Sequence, residues 1–159
     1  MREFLENLTK KAGDFLLNHF QKEHELIKVR ASVKEIATGY DKKADELIIL
    51  EIKRNYPNHS VLTEESGLQK ANSDYLWVVD SLDGTSNFAN SNPFFSVCIA
   101  VIYKGNPILG SIYAPAINEF YIGERGKGTY LNQKRIEISE TSDLSKSYLL
   151  YCEVVKRTE

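Results

Sequence analysis

The sequence is poor in the features that define several large protein classes. It has only two cysteines, Cys98 and Cys152, which form neither a disulfide framework nor a Cys-x-x-Cys metal pair. Its apolar runs fall well short of the roughly 20 residues that a membrane-spanning helix needs. The N-terminal residues mix Arg, Glu and Lys with apolar side chains, which is not the pattern of a signal peptide. We therefore expect a soluble, cytoplasmic protein that does not interact with membranes.

An excess of charge of one sign is also lacking. The formal net charge is −2 at pH 7, and the basic residues are scattered, so the sequence lacks the positive surface with which proteins bind nucleic acid. His19, His24 and His59 do not have metal-ligand spacing. A hydrophobic fraction of 42% and a charged fraction of 26% are ordinary for a globular domain. The length of 159 residues predicts one domain-sized unit.

Helical periodicity is confined to the N-terminal part of the chain. Apolar side chains recur every three or four residues over Phe4–Phe20, which predicts an amphipathic helix. The segment Glu23–Tyr40 has no sustained period and ends in a turn-rich sequence. A second helix is predicted from about Lys42 to Tyr56, because Pro57 cannot continue it.

After the helices the pattern changes to short β-rich runs. Turn-forming sequences at residues 104–106 and 115–118 predict hairpins between consecutive strands. A further tight pair of short strands is predicted around Thr129–Leu131. Helices followed by a largely antiparallel sheet predict an α+β fold. The remaining predicted strands are Ser60–Thr63, Tyr75–Asp80, Phe95–Tyr103, Pro107–Ala114, Glu119–Glu124 and Arg135–Ile138.

Acidic side chains are concentrated in two short segments that follow predicted strands. Glu64 and Glu65 come directly after one strand, and Asp80 and Asp83 lie at the end of the next. Carboxylates crowded together repel one another unless a cation neutralises them. Oxygen ligands of this kind suit Mg²⁺. The sequence therefore indicates a magnesium site where these strands end.

A helix start is predicted immediately after the second acidic segment. Gly84 and Thr85 would be its first residues, and the unpaired backbone N–H groups at a helix start bind phosphate well. A carboxylate–metal cluster beside such a helix start favours hydrolysis of a phosphate ester by metal-activated water.

Taken singly, the acidic residues also have simpler explanations. A pair such as Glu64 and Glu65 is most often a solvated turn. Asp80 has the position of a helix N-cap, and Asp83 with Gly84 forms a common turn dipeptide. A calcium loop is not favoured, because the alternating Asp and Asn ligands and the distal Glu are absent. The joint pattern of the segments carries the functional interpretation.

That joint pattern resembles a known family. The segment from Val79 to Phe88, VDSLDGTSNF, resembles the central signature of the inositol monophosphatase family, usually Asp-Pro-(Ile/Leu)-Asp-Gly-Thr-x-Asn-Phe. Thr38 with Asp41, and the segment Thr63–Ser66, are similar to the family's Thr-x-x-Asp and Gly-Glu-Glu elements at similar spacing. The similarity extends from about residue 4 to residue 148. It implies two N-terminal helices packed on a sheet, the first half of the layered αβαβα sugar-phosphatase fold.

The resemblance implies a set of metal ligands. Glu64 and Asp80, with the backbone carbonyl of Leu82, would hold the first Mg²⁺. Asp80 and Asp83 would share the second, and Glu65 would help to hold a third through water. A complete site would contain two or three ions.

The resemblance also implies catalytic roles. Thr85, hydrogen-bonded towards Asp41, would orient the attacking water, and Glu64 would take its proton. The backbone amides of Gly84 and Thr85, beside Asp83, would bind the phosphate of a small phosphorylated inositol or sugar. Attack by water would be direct, without a phosphoenzyme intermediate.

The sequence departs from the family pattern at single positions and at its C-terminal side. Ser81 replaces the usual Pro, Thr63 replaces a Gly, and Asn90 stands where His is frequent; none of these removes a ligand. The family's second domain has a Trp-Asp-x-x-(Ala/Gly) element whose Asp completes the second metal site, whereas the single Trp here is Trp77. Tyr148–Val155 is predicted to start another strand.

We therefore expect residues 1–159 to be an N-terminal metal-binding domain without the C-terminal domain. Such a chain would bind Mg²⁺ weakly and turn over little substrate. An uncovered strand edge or apolar surface would favour self-association, for instance as a homodimer.

Two other interpretations stay open from the sequence. One is a non-catalytic remnant that keeps the fold and binds metal or a partner. The other is a haloacid-dehalogenase-type phosphatase, which uses an Asp nucleophile two residues before the Asp of Asp-Gly-Thr. This chain has Ser81 at that position, and Asp80 lies one residue further away.

Overall fold

The computed structural model describes residues 1–20 and 33–148, with the side chains of residues 33–38 left out. Helices α1 (Arg2–His19) and α2 (Val33–Asn55) precede the sheet, and a short helix α3 (Thr85–Ala89) interrupts it. Short 3₁₀ helices span Pro115–Ile117 and Leu144–Lys146. The strands are β1 (Ser60–Thr63), β2 (Gly67–Gln69), β3 (Tyr75–Asp83), β4 (Ser96–Tyr103), β5 (Asn106–Ala114), β6 (Glu119–Glu124), β7 (Gly128–Leu131) and β8 (Lys134–Ile136).

All these strands form one sheet in the order β2-β1-β3-β4-β5-β6-β7-β8. Every neighbouring pair is antiparallel except β1 and β3, which are parallel. Strand β2 runs antiparallel to β1 along its outer side and brings the chain back to the end of the sheet where β1 begins. Strand β3 then starts at that end and pairs with the inner side of β1 in the parallel direction. The predicted α+β fold with a largely antiparallel sheet is confirmed.

Helices α1 and α2 cover one face of the sheet. Their apolar stripes meet alternate strand residues, which point to one face because side chains alternate along a strand. None of the helices in residues 1–20 and 33–148 has both the length and the apolar character needed to cross a bilayer. The most deeply buried side chains of this layer include Leu5, Leu16, Ile48, Ile52, Trp77, Val97 and Val101, all 0% exposed.

The other face of the sheet carries a broad apolar depression. Its cavity has a volume of about 420 Å³ and is lined only by strand residues, among them Val78, Asp80, Cys98 and Ile112. Ile112 is 45% exposed, so within the described residues this face has no covering layer. Asp80 is the one acidic side chain in the lining.

The predicted second helix begins too late in the sequence. It was expected from about Lys42, whereas α2 begins at Val33. Gly39 lowers helix propensity and made this region look like a turn, but Tyr40 is only 6% exposed and its ring packs near that of Phe88. Tertiary packing therefore extends the helix through a poor local sequence. The strand predicted for Tyr148–Val155 lies outside the described residues beyond Tyr148.

Three strands also differ from the prediction. The strand β2 was not predicted, because its three residues are too few to show an alternating pattern. The strand β3 continues to Asp83 rather than ending at Asp80. The C-terminal end of β8 is Ile136 rather than Ile138.

Two helical glycines should respond oppositely to alanine. A Cβ on Gly13 of α1 would lie 2.3 Å from Cδ1 of the buried Tyr113 ring, whereas a Cβ on Gly39 would meet nothing within 4 Å. We expect Gly13→Ala to lower the free energy of unfolding by about 1–2 kcal/mol, through overpacking partly offset by helix propensity. Gly39→Ala should raise it by about 0.5–1 kcal/mol. Urea unfolding measures both, and stabilisation by both substitutions would contradict the tight packing of α1 on β5.

Candidate metal and phosphate site

The parallel pairing of β1 and β3 brings the two acidic segments together. Thr63 lies opposite Val79 in the register of these strands, so Glu64, which follows β1, comes at the same end of the two strands as Asp80 of β3. Glu64 is exposed and Asp80 is half-buried. Burial, and then the negative charges of Asp83 and Glu64, raise the pKa of Asp80 above its ordinary value. These three carboxylates therefore share one electrostatic environment.

An irregularity in β3 places Asp80 and Asp83 on the same side of the sheet. Residues three apart on a regular strand point to opposite faces. Here Asp80 pairs with Cys98 and Asp83 pairs with Ser96, so that a step of three on β3 matches a step of two on β4. This is a β-bulge, which redirects side chains in this way. Both carboxylates thus belong to the uncovered face.

The residues inside the bulge point to the helix side. Ser81 and Leu82 are both only 2% exposed. The backbone N–H of Leu82 donates to Oδ1 of Asp80 (3.2 Å), and the hydroxyl of Ser96 donates to Oδ2 of Asp83 (3.3 Å). The carboxylate of Asp80 is thus held by the backbone of the bulge, and that of Asp83 by a side chain of the neighbouring strand β4.

The chain turns from β3 into α3 at Gly84. This residue has φ +81°, and a Cβ there would lie 2.8 Å from the backbone oxygen of Phe94. Thr85 begins α3, and its hydroxyl donates to the backbone carbonyl of Leu82 (3.0 Å). The predicted order of carboxylate, glycine turn and helix start is present in the structure.

The hydrogen bond expected between Thr85 and Asp41 is not made. Asp41 lies on α2, is 8% exposed, and accepts a bond of 2.7 Å from the hydroxyl of Ser81. The structure therefore corrects the expectation: Ser81, at the position where the resemblance implies Pro, becomes the partner of Asp41. A proline has no hydroxyl to donate, so the substitution changes the partner of this buried carboxyl.

Burial raises the pKa of Asp41 to about 6. The charges of Glu65, Asp80 and Glu64 contribute to this rise, and the Ser81 hydrogen bond acts in the opposite direction. Asp41 therefore lies beneath the acidic cluster and feels the charges of both acidic segments.

The turn that carries Glu64 and Glu65 is held by a buried residue that sequence reasoning missed. Asp45 of α2 is 1% exposed, and its Oδ2 accepts hydrogen bonds from the hydroxyls of Thr63 (3.1 Å) and Ser66. Asp45 lies four residues after Asp41, which is one turn along the same helical face. That spacing, within the apolar face of a predicted helix, was the available signal.

The oxygen donors of this site are chemically suited to a hard divalent cation, but their side chains are not arranged around a common metal position. The carboxylates of Glu64, Asp80 and Asp83 and the carbonyl of Leu82 are oxygen donors of the kind that Mg²⁺ prefers. Across residues 1–20 and 33–148, however, no three His, Cys, Asp or Glu side chains converge closely enough to hold a metal ion. Glu64, Glu65 and Asp83 are exposed, so cation binding would require these side chains to turn inwards around Asp80.

A family model identifies the chain. The model of the inositol monophosphatase family matches residues 1–159. The chain belongs to the inositol monophosphatase family. This membership removes the haloacid-dehalogenase alternative, in agreement with the buried Ser81 at the position of that class's nucleophile.

The relatives of this inositol monophosphatase family member include proteins named as Nus factors and a protein named as a phosphatase. The Nus factor SuhB of Pasteurella multocida is 38% identical over 141 residues, which are 88% of this chain and 53% of that protein. The fructose-1,6-bisphosphatase/inositol-1-monophosphatase of Thermotoga maritima is 34% identical over 144 residues, covering 91% and 55%. This chain thus spans about half the length of these relatives.

The fold is also shared with solved members of the family. The structure of inositol monophosphatase from Anabaena (Nostoc) sp. PCC 7120 has a TM-score of 0.78 and 33% sequence identity, over 92% of this chain and 52% of that one. The Thermotoga maritima IMPase structure has a TM-score of 0.73 and 31% identity, over 87% and 53%. Helices packed on a mainly antiparallel sheet are therefore the architecture of the family in this half.

Proposed function

We propose that this chain carries part of the metal and phosphate site of a Mg²⁺-dependent phosphatase that hydrolyses a phosphate monoester of inositol or a related sugar. The observation that carries this proposal is that Glu64, Asp80 and Asp83 lie at the same end of two neighbouring strands, beside the turn at Gly84. The family supports phosphatase chemistry in general. The metal and the substrate class are the parts that we propose.

The residues divide into those that would hold Mg²⁺ and those that would handle water and phosphate. Glu64, Asp80, Asp83 and the carbonyl of Leu82 would hold the ion, with Glu65 acting through water. When bound, Mg²⁺ supplies Lewis-acid stabilisation of the phosphoryl oxygens. Burial and the charges of Asp83 and Glu64 raise the pKa of Asp80. A bound cation would offset the effect of these two charges.

The hydrolysis step would use groups already present at this edge. Glu64 would accept a proton from water as the water oxygen attacks phosphorus and the bond between phosphorus and the ester oxygen breaks. The hydroxyl of Thr85 donates to Leu82, which leaves its oxygen lone pairs able to accept a hydrogen bond from that water. The amides of Gly84 and Thr85 would bind the phosphate. The products would be inorganic phosphate and the alcohol, whose oxygen takes its proton from solvent.

A second candidate is a non-catalytic domain that binds metal or a partner. Two observations favour it: the described side chains form no ready three-ligand site, and relatives of comparable identity include proteins named as Nus factors. It differs from the first candidate by whether phosphate-ester turnover depends on the carboxylates.

Calorimetric titration with Mg²⁺ tests the role of the carboxylates. We expect the whole chain to bind Mg²⁺ weakly and Asp83→Asn to weaken binding at least about tenfold, because one anionic ligand is lost. Asp74→Asn is the matched control, since Asp74 is 62% exposed and its carboxylate lies 3.8 Å from Nζ of Lys104, in the turn between β4 and β5. Equal heats from wild type and Asp83→Asn would contradict the proposal.

An assay of phosphate release from inositol 1-phosphate separates the two candidates. Mg²⁺-dependent release that falls with Asp83→Asn and not with Asp74→Asn supports the phosphatase. Mg²⁺ binding that depends on Asp83, without any release, supports the non-catalytic domain.

A further inference from the structure

We propose that Asp45 is a positioning residue, which sets the place of Glu64 and Glu65 by anchoring both ends of the turn that carries them. The inference deepens the proposed function and rests on it. Asp45 itself is too deeply buried, at 1% exposure, to contact substrate or a metal ion at the sheet edge. It would act through Thr63 and Ser66.

The anchor is a closed set of hydrogen bonds around one carboxylate oxygen. Oδ2 of Asp45 accepts from the hydroxyl of Thr63 (3.1 Å) and from the hydroxyl of Ser66. The Thr63 hydroxyl oxygen in turn accepts from the backbone N–H of Ser66 (2.9 Å). Thr63 ends β1 and Ser66 precedes β2. The two residues between them are Glu64 and Glu65, so the turn can shift only if these bonds break.

The anchor connects the turn to a helix that also reaches the second acidic segment. Asp41, one turn before Asp45 on α2, accepts the hydroxyl of Ser81 in the β3 bulge (2.7 Å). One rigid helix therefore fixes the segment with Glu64 and the segment with Asp80. Their relative position is thus set by two buried carboxyls four residues apart, as well as by the pairing of β1 with β3.

The composition of the anchor indicates a role beyond stability. The second oxygen of Asp45, Oδ1, is buried and has no hydrogen-bond partner within the described part of the chain. A buried acceptor without a partner costs stability, and a buried charge costs more unless it is fully paired. Such local costs are typical of positions that hold functional groups in place.

Substitutions of the hydroxyl partners test the anchor without removing the buried acid. Thr63→Val keeps the shape and the β propensity of the side chain but removes both the donor to Asp45 and the acceptor for Ser66. Thr129→Val is the control for the change of residue type, because Thr129 is an exposed strand threonine on β7, which is five strands away from β1 in the sheet. Asp45→Ala removes the anchor entirely, and Asp45→Asn keeps an oxygen that can accept both hydroxyls.

Three measurements on the whole chain distinguish the outcomes: hydrogen exchange of the Ser66 amide, Mn²⁺ affinity by electron paramagnetic resonance, and urea unfolding. For Thr63→Val we expect faster exchange at Ser66 and about tenfold weaker Mn²⁺ binding, with a lower midpoint of urea unfolding because the buried Asp45 carboxylate loses a donor. Asp45→Ala should weaken Mn²⁺ binding at least as much, and Asp45→Asn should restore most of it. Thr129→Val should match wild type in all three.

If Thr63→Val speeds exchange at Ser66 while Mn²⁺ affinity stays at the wild-type value, and Asp83→Asn still weakens Mn²⁺ binding, then the anchor does not position the ligands and the proposed function stands. If Asp83→Asn leaves Mn²⁺ binding unchanged, the proposed function fails and this proposal fails with it. If Asp45→Ala does not fold, Thr63→Val and Asp45→Asn decide the question.

Discussion

Replacing Gly84 by alanine is expected to lower the free energy of unfolding by about 2–4 kcal/mol. Gly84 has φ +81°, a left-handed conformation that costs a residue with a Cβ about 1–2 kcal/mol. The added Cβ would also lie 2.8 Å from the backbone oxygen of Phe94. That oxygen accepts the side-chain amide of Asn87 (2.6 Å), so it cannot move away without breaking the contact between α3 and the loop before β4.

Gly126→Ala provides the matched control for Gly84→Ala. Gly126 has φ +78°, yet a Cβ there would meet nothing within 4 Å. Its substitution should therefore cost only the conformational part, about 1–2 kcal/mol. The difference between the two variants in urea unfolding measures the contact with Phe94. Equal losses would show that the loop gives way, and that the turn into α3 tolerates a side chain.

The position of the turn matters because Asp83 and Thr85 flank it. Any displacement of Gly84 moves a proposed metal ligand on one side and the proposed phosphate-binding amides on the other. A glycine is thus required by the backbone at this point, whether or not phosphate binds. The sequence pattern Asp-Gly-Thr therefore has a conformational cause as well as a chemical one.

Much of the fold follows from local patterns in the sequence. Alternating apolar residues and turn dipeptides predicted most strands and the antiparallel hairpins, because these features depend on near neighbours in the chain. The parallel pairing of β1 with β3 could not be predicted in this way. It joins segments separated by β2 and a loop, and it decides that Glu64 and Asp80 share an edge.

The roles of the site residues stay predictions, and one of the expected contacts differs in the structure. The strands that carry the acidic segments are neighbours, but the bulge that turns Asp80 and Asp83 to one side is visible only in the register of β3 with β4. The partner of Asp41 was also mispredicted. The resemblance pointed to Thr85, whereas in the structure Asp41 accepts the hydroxyl of Ser81 and the hydroxyl of Thr85 donates to Leu82. A single substitution of this kind changes a buried hydrogen bond without altering the motif's appearance.

Stability in metal-free buffer should fall as the pH rises through the titration range of Asp41. The pKa of Asp41 is raised from 3.8 in the unfolded chain to about 6 in the folded protein. The folded protein therefore binds the proton more tightly, so its contribution to stability is complete below pH 3.8 and is lost as the pH rises through 6. At about 1.4 kcal/mol per unit of pKa, the loss is at most about 3 kcal/mol.

Comparison of wild type with Asp41→Asn isolates this contribution, because Asn is close in shape, accepts the Ser81 hydroxyl and does not titrate. The difference in unfolding free energy, wild type minus variant, should decrease between pH 4 and pH 7 in buffer containing EDTA and then level off. Ser81→Ala should extend the decrease to higher pH, since its hydrogen bond favours the charged carboxylate. A difference that is independent of pH would contradict the buried environment of Asp41. A decrease that Mg²⁺ reduces would link Asp41 to the charges of Asp80 and Glu64, because a cation at that edge would offset their repulsion while leaving the larger effect of burial in place.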